Sequence, residues 1–379
     1  MKYRDKAVLT GCGEYDEERL TEIIHSQFEQ LGVYDRIKAG MKVVIKPNLI
    51  MESKPEAAMI THPAVTAAAV SCIQKSGADI VIAESPGGNY SPGRMKRVYS
   101  ACGYTELADR LGVKLYTECK SREVKLPDAR LCRQLSVVEP FLTADYIVNI
   151  CKLKTHGMMG MSGAVKNMFG AVPGLMKPEL HCRFPDKPDF AAMIVDLCEF
   201  LSPNLQIMDA VCGMEGNGPT GGSSRYVGAV MTAYSPYVMD AAAASMIGAD
   251  ISAMHVLRET ISRGLVSGNP QDLEIIGEAL EKFRLTDYKP AKSAGADFIS
   301  RLPAFMRPMA ARIARPTPKV SKKDCIGCGK CAESCPKHII KLTDRKAEID
   351  TETCIRCFCC HEMCPVQAID IKRFGVFNL

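Results

Sequence analysis

Tryptophan is absent from this chain of 379 residues, and phenylalanine and tyrosine bring the aromatic share to only 6%. So thin an aromatic complement argues against a stacking platform for single-stranded nucleic acid. No run of about 18 apolar residues occurs, so no membrane-spanning helix is expected. The opening Met1-Lys2-Tyr3-Arg4-Asp5-Lys6 leads into a short apolar run, and no secretory signal is expected. Neither a Walker loop nor a G-x-G-x-x-G turn is present. A broad excess of charge is missing too. The formal net charge is +5, but residues 285–320 hold seven Lys or Arg against two Asp, and the remainder sums to zero. No basic face for nucleic acid follows.

Cysteine, by contrast, is abundant, with 18 residues. Cys325, Cys328, Cys331 and Cys335 are followed by Pro336, and Cys354, Cys357, Cys360 and Cys364 repeat the same spacing before Pro365. This is the ligand run of bacterial two-cluster ferredoxins, in which three thiolates hold one 4Fe–4S cluster and the fourth crosses to the other. Cys325, Cys328, Cys331 and Cys364 are expected on one cluster, and Cys335, Cys354, Cys357 and Cys360 on the second. Gly327 and Gly329 let the backbone wrap a cluster closely. Zinc would take two ligand pairs per tetrahedral site, not two four-cysteine runs ending in Cys-Pro. Cys359 is surplus, a bystander or a tuner of hydrogen bonding around the cluster. Each cluster with its thiolates carries about −2, so two would bring the net charge to roughly +1. Thiolate ligands point to a reducing compartment, the cytoplasm. The other nine cysteines lack ligand spacing and read as core thiols, with a third cluster or a redox thiol as the alternative at Cys151, Cys182 or Cys212.

Upstream, strand-like runs alternate with helix-like ones. Residues 5–10, 41–47, 79–83, 113–116, 145–154, 205–211 and 225–233 read as strands. Between them, Asp16 to Leu31 and Ser235 to Ile247 are among the helical runs. Near-continuous apolar strands alternating with helices predict an α/β fold with a mostly parallel sheet and flanking helices, followed by a small α+β ferredoxin-like unit. The expected division is an α/β domain over 1–284, a basic proline-rich linker over 285–320 and the cluster domain over 321–379. Within the linker, interleaved apolar and basic residues suit either contact with a membrane surface or, given the prolines, a strap over the rest of the protein.

The most unusual stretch upstream is K-L-K-T-H-G-M-M-G-M-S-G-A-V-K-N-M-F-G. Lys152, Lys154 and His156 alternate, which places all three on one face of a strand. Two ammoniums and an imidazole there are costly unless an anion binds. Open α/β sheets bind ligands beyond the carboxyl ends of their strands. Polar residues follow three other strands at that edge. The expectation is one cleft lined by Lys46, Asn48, Glu84, Lys152, Lys154, His156, Lys166, Asp209 and Asn217, with Asn167 and His181 close by. His156 is the expected proton donor and His181 the alternate.

Taken together, V-V-I-K-P-N, T-H-P, K-L-K-T-H, G-A-V-K-N-M-F-G, the distal His181 and D-A-V-C-G-M-E-G-N-G-P resemble the domain-of-unknown-function family 362, in its form fused to a two-cluster ferredoxin. The resemblance runs from about Val43 to Asp250 and from Cys325 to Pro365. It implies an iron–sulfur protein and assigns no catalytic role. The residues themselves suggest a reductase that receives electrons from a protein or small-molecule donor and passes them to an anionic substrate or second cofactor. Whether a flavin or deazaflavin serves is left open. The alternatives are an electron carrier that docks on a partner, and a non-redox enzyme whose clusters sense or stabilise.

Overall fold

The computed structural model describes residues 5–291 and 317–372. Most of the basic proline-rich stretch therefore lies outside the described residues.

The first strand, β1 (Lys6–Gly11), leads to α1 (Glu17–Leu31), whose start is capped by Asp16 accepting from Arg19 N. Then follow β2 (Lys42–Lys46), α2 (Pro63–Gln74), β3 (Asp79–Ile82), α3 (Pro92–Ala101), α4 (Tyr104–Leu111) and β4 (Lys114–Leu115). Pro63 opens α2 at a position where its missing N–H costs nothing. A side hairpin, β5 (Ser121–Lys125) and β6 (Gln134–Val138), and the short α5 (Glu139–Thr143) precede β7 (Tyr146–His156). Next come β8 (Gly160–Met161), α6 (Ala164–Asn167), α7 (Met176–Arg183), α8 (Lys187–Leu201), β9 (Leu205–Asn217), β10 (Gly221–Ala233), α9 (Pro236–Met246), α10 (His255–Ser262) and β11 (Glu274–Gly277).

The central sheet runs β11-β1-β10-β9-β7-β2-β3-β4, with β8 paired to β7. Along that path only β10 is antiparallel to its neighbours, so the sheet is mostly parallel, with helices on both faces, as expected. β7 is buried along its whole length, as the central strand of such a sheet must be. Its alternation decides the layers. Tyr146, Val148 and Ile150 join the core under α1 and α2, whereas Ile147, Cys151 and Leu153 belong to the cores on the opposite face, beneath α8 and α9.

One strand differs most from expectation. β9 does not stop at Val211 but continues to Asn217, because it stays paired to β10 as a long ribbon with a bulge near Tyr226. Asp209, expected to line the cleft, is mid-strand. The helix α10, the β5–β6 hairpin and β11 were not anticipated.

The C-terminal unit consists of β12 (Thr317–Val320), α11 (Lys330–Glu333), β13 (Ile340–Thr343), β14 (Lys346–Ile349), α12 (Cys359–Glu362) and β15 (Ile369–Lys372). β12 pairs antiparallel with β15, so Thr317 to Val320 belongs to this sheet although its prolines suggested linker. Pro318 is tolerated because the strand is an edge. The two cysteine halves repeat each other in backbone conformation. Gly327 and Arg356, Gly329 and Phe358, and His338 and Gln367 occupy matching places, all at positive φ.

Candidate functional site: a cleft between the sheet edge and the cysteine-rich unit

The eight spaced cysteines line two hollows of about 320 Å³ each. Cys325, Cys328, Cys331 and Cys364 surround one, and Cys335, Cys354, Cys357 and Cys360 surround the other. Each hollow thus takes three thiols from one run and the fourth from the other. Ala347 N lies 3.5 Å from Cys325 Sγ, Arg356 N 3.3 Å from Cys354 Sγ and Ala368 N 3.1 Å from Cys364 Sγ. Such amide donors are the usual means of tuning cluster sulfurs. Among the described residues no three His, Cys, Asp or Glu converge as on a single metal ion. A cube puts each thiolate on a different iron, so its four ligands stand further apart than those of a mononuclear site. The donor set and the two enclosed hollows fit 4Fe–4S clusters.

Beside the second hollow lies a cleft of about 790 Å³, counting its open mouth. Its inner wall is the carboxyl edge of the sheet, with Lys46, Asn48 and Glu84 from the ends of β2 and β3, and Lys166, Asn167 and His181 from α6 and α7. Its outer wall is the cysteine-rich unit, through Ser334, Cys359, Glu362 and Met363. Cys359, surplus to the ligand spacing, lines the cleft, two residues after Cys357 of the second hollow.

Strand parity divides the expected residues into two networks. Lys46 is paired in register with Asn149, on the face of α6. Its ammonium donates to Glu84 Oε2 at 2.6 Å, and to Asn167 Oδ1 and Pro47 O at 3.1 Å. Glu84 Oε1 accepts from Ser85 N at 2.8 Å. A Cβ on Gly170 would stand 2.0 Å from Glu84 Oε1, so only glycine allows this approach. Burial pulls the Lys46 pKa down against the opposing pull of Glu84. Asn167 also donates to Asn149 Oδ1 and Ile150 O, so it is a saturated strut between strands.

Lys152 and Lys154 have the opposite parity and do not reach the cleft. Lys152 donates to Asp209 Oδ2 at 2.9 Å and to Tyr15 Oη at 2.8 Å. Tyr15 donates to Asp209 Oδ1 and stacks on His62 at 3.8 Å, and His62 N donates to Asp209 Oδ2. Lys154 donates to Met59 O at 2.8 Å and to Asn48 Oδ1. No carboxylate is bonded to it among the described residues, and burial together with Lys166 and Lys152 holds its pKa well below the usual lysine range. Asn48 joins the two networks, since its Nδ2 donates to Asn167 Oδ1 at 2.8 Å. The single cleft expected from the sequence is therefore a cleft plus a buried network behind it. Asn217, at the end of β9, is half-buried and outside the cleft lining.

His156 sits at the tip of β7 with Nδ1 accepting from Met158 N and Met159 N. The proton of the neutral ring is then on Nε2, 3.5 Å from Glu362 Oε1 of the cysteine-rich unit. Burial, Lys166 and His181 drive its pKa well below the usual imidazole range. His181 stacks on Phe190 at 4.1 Å, and burial with Lys166 pulls it down to about 3. Both shifts favour the neutral imidazole, so any proton His156 gives would leave from its Nε2–H.

Lys177 went unnoticed in the sequence because the irregular run before α7 hides its direction. It lines the cleft, donates to Ser85 O and lies 5.9 Å from the Phe169 ring centroid. Burial lowers it to about 7. Lys166 lies 5.7 Å from the same centroid, with no hydrogen bond among the described residues. Cys151 and Cys198 are core thiols, and Cys212 contacts Ser224 Oγ at 2.7 Å.

A family described as "Domain of unknown function (DUF362)" matches residues 43–245. The chain belongs to this family. A second match, to a "4Fe-4S dicluster domain", covers residues 324–368 and gives this DUF362 protein the capacity for electron transfer. "Thylakoid-associated protein sll1697" of Synechocystis sp. is 30% identical over 234 residues, spanning 61% of this chain and 71% of that one. The structure of the lactate racemase apoprotein from Thermoanaerobacterium thermosaccharolyticum overlaps 60% of this chain and 54% of its own length, with 12% identity and a TM-score of 0.37. Among the described residues no helix is long and apolar enough to cross a membrane.

Proposed function

We propose that the protein is an iron–sulfur oxidoreductase that delivers low-potential electrons to an anionic substrate, or to a second cofactor, bound in the cleft. Two 4Fe–4S clusters, held by the eight spaced cysteines in the crossed pattern, would supply single electrons. The observation that carries this reading is adjacency: Cys359, Glu362 and Met363 line the lysine-rich cleft, while their chain neighbours Cys357, Phe358 and Cys360 line the second hollow.

The chain's own residues supply the rest. Lys166 presents its ammonium to an anionic group, with Lys177 beside it in the lining, through charge-assisted hydrogen bonds that strengthen out of water. The Lys46–Glu84 pair and Asn167 hold the inner wall rigid. Leu49, Ile50, Phe169 and Met363 keep water from the bound group. A concave, semi-buried arrangement of this kind favours an enzyme over a flat docking patch. The requirement for reduced thiols favours the cytoplasm.

The test is anaerobic. The reduced, cluster-loaded protein is mixed with panels of small carboxylates and phosphates, and cluster bleaching or recovery is followed by absorbance. A true acceptor should reoxidise wild type about tenfold faster than Lys166→Met at equal cluster content, the loss of one charge-assisted contact. Equal rates would sink the cleft as the site of electron delivery.

A further inference from the structure

The cleft holds chemistry that simple anion binding leaves unused. Lys177 has no bonded carboxylate among the described residues; its ammonium rests on Ser85 O and against Phe169. Burial, with Lys46, Lys166 and Arg94 adding to it against Glu84, lowers it to about 7. Lys177 is half-buried, and this shift moves it toward the free amine. Desolvation beside other cations is the environment that makes a lysine nucleophilic toward carbonyl carbon. Two further polar atoms in the lining are unspent. Ser85 Oγ and His181 Nδ1 are buried without hydrogen-bond partners. Ser85 is 0% exposed and His181 6%. Buried polar atoms left unpaired cost free energy that a ligand would recover.

We propose that Lys177 condenses with the carbonyl carbon of a small oxo acid whose carboxylate is held by Lys166, so that the cleft takes a carbonyl-bearing acid through an imine. This rests on the anionic-ligand part of the function proposed above. The neutral Lys177 nitrogen adds to the carbonyl carbon, a C–N bond forms and the carbonyl oxygen becomes a hydroxyl. That hydroxyl then leaves as water as C=N forms. The nitrogen gives up its two protons to the departing water, and no electrons change hands. Ser85 Oγ and His181 are the polar groups available to the oxygen as it changes from carbonyl to hydroxyl.

The test traps the imine. The full-length, cluster-loaded protein is incubated with pyruvate or glyoxylate and sodium cyanoborohydride, and peptides are mapped by mass. The adduct is expected on Lys177 in preference to the exposed Lys120. Propionate, which lacks the carbonyl, should protect Lys177. Lys166→Gln should weaken labelling of Lys177 about tenfold at fixed pyruvate, with Lys120 unchanged, and Lys177→Arg should abolish that adduct. No adduct at Lys177, or labelling that neither propionate nor Lys166→Gln alters, overturns the proposal. Calorimetry with propionate separates the two readings. If propionate binds but Lys177 stays unlabelled, the imine falls and the anion site stands; if neither occurs, both fall.

Discussion

Substituting Glu84→Gln tests whether the Lys46–Glu84 pair holds the inner wall of the cleft. The pair is isolated from water, with side-chain exposures of 0% and 3%. Gln is nearly isosteric, so little packing changes, but the Lys46 ammonium loses its only carboxylate among the described residues. Breaking one side of a buried pair costs about 3–5 kcal/mol, because the remaining charge is stranded. Lys46 can escape part of that cost by losing its proton. Its folded pKa is already lowered by burial, and without Glu84 it falls further. A group with a depressed folded pKa binds fewer protons folded than unfolded. Stability of the variant should therefore rise with pH up to the unfolded lysine value of about 10.4, and be lost as pH falls toward the folded value. Native-state hydrogen exchange at Val44, Ile45 and Val148, corrected for intrinsic rates, reads this without unfolding the cysteine-rich unit. Protection should drop by about 3 kcal/mol or more near pH 7 and recover in part toward pH 10. A loss below about 1 kcal/mol, or one independent of pH, would show that the pair does not hold the wall.

The surplus thiol and the tight cysteine turn give two more expectations. Cys359→Ser should keep about eight irons per chain while shifting the electron paramagnetic resonance of the reduced protein, since Cys359 lies between the ligands Cys357 and Cys360 and lines the cleft but neither hollow. Loss of half the iron would make Cys359 a ligand. Gly327→Ala should lose iron faster than wild type, because its φ of 69° costs a side chain about 1–2 kcal/mol and the new Cβ would lie 2.2 Å from Arg345 O. Unchanged iron retention would show that the turn relaxes freely.

Much of this was legible in the sequence, for physical reasons that also mark where it stopped. Apolar strands such as Val43 to Ile45 and Tyr146 to Ile150 announce a two-sided parallel sheet because both faces must be buried. The repeated cysteine spacing survives any uncertainty in fold because three ligands must come from one loop. Alternation placed Lys152 and Lys154 correctly on one face of β7, but it could not say which face β2 would match. That depends on the pairing of Lys46 with Asn149, a long-range register. Lys177 and Glu362 were missed because their role comes from two distant segments meeting across the cleft. Asp209 was expected in the cleft but pairs with Lys152 behind it, on the same face of the sheet.

The most direct measurement is an iron anomalous-difference map of the cluster-loaded protein in crystals soaked with a small oxo acid. The account predicts one iron cube in the hollow of Cys335, Cys354, Cys357 and Cys360, with the ligand in the adjoining cleft between Lys166 and Lys177 and the Cys359 wall between them. Iron in those hollows with the cysteine-rich unit turned away from the sheet edge, or ligand bound elsewhere, would contradict it.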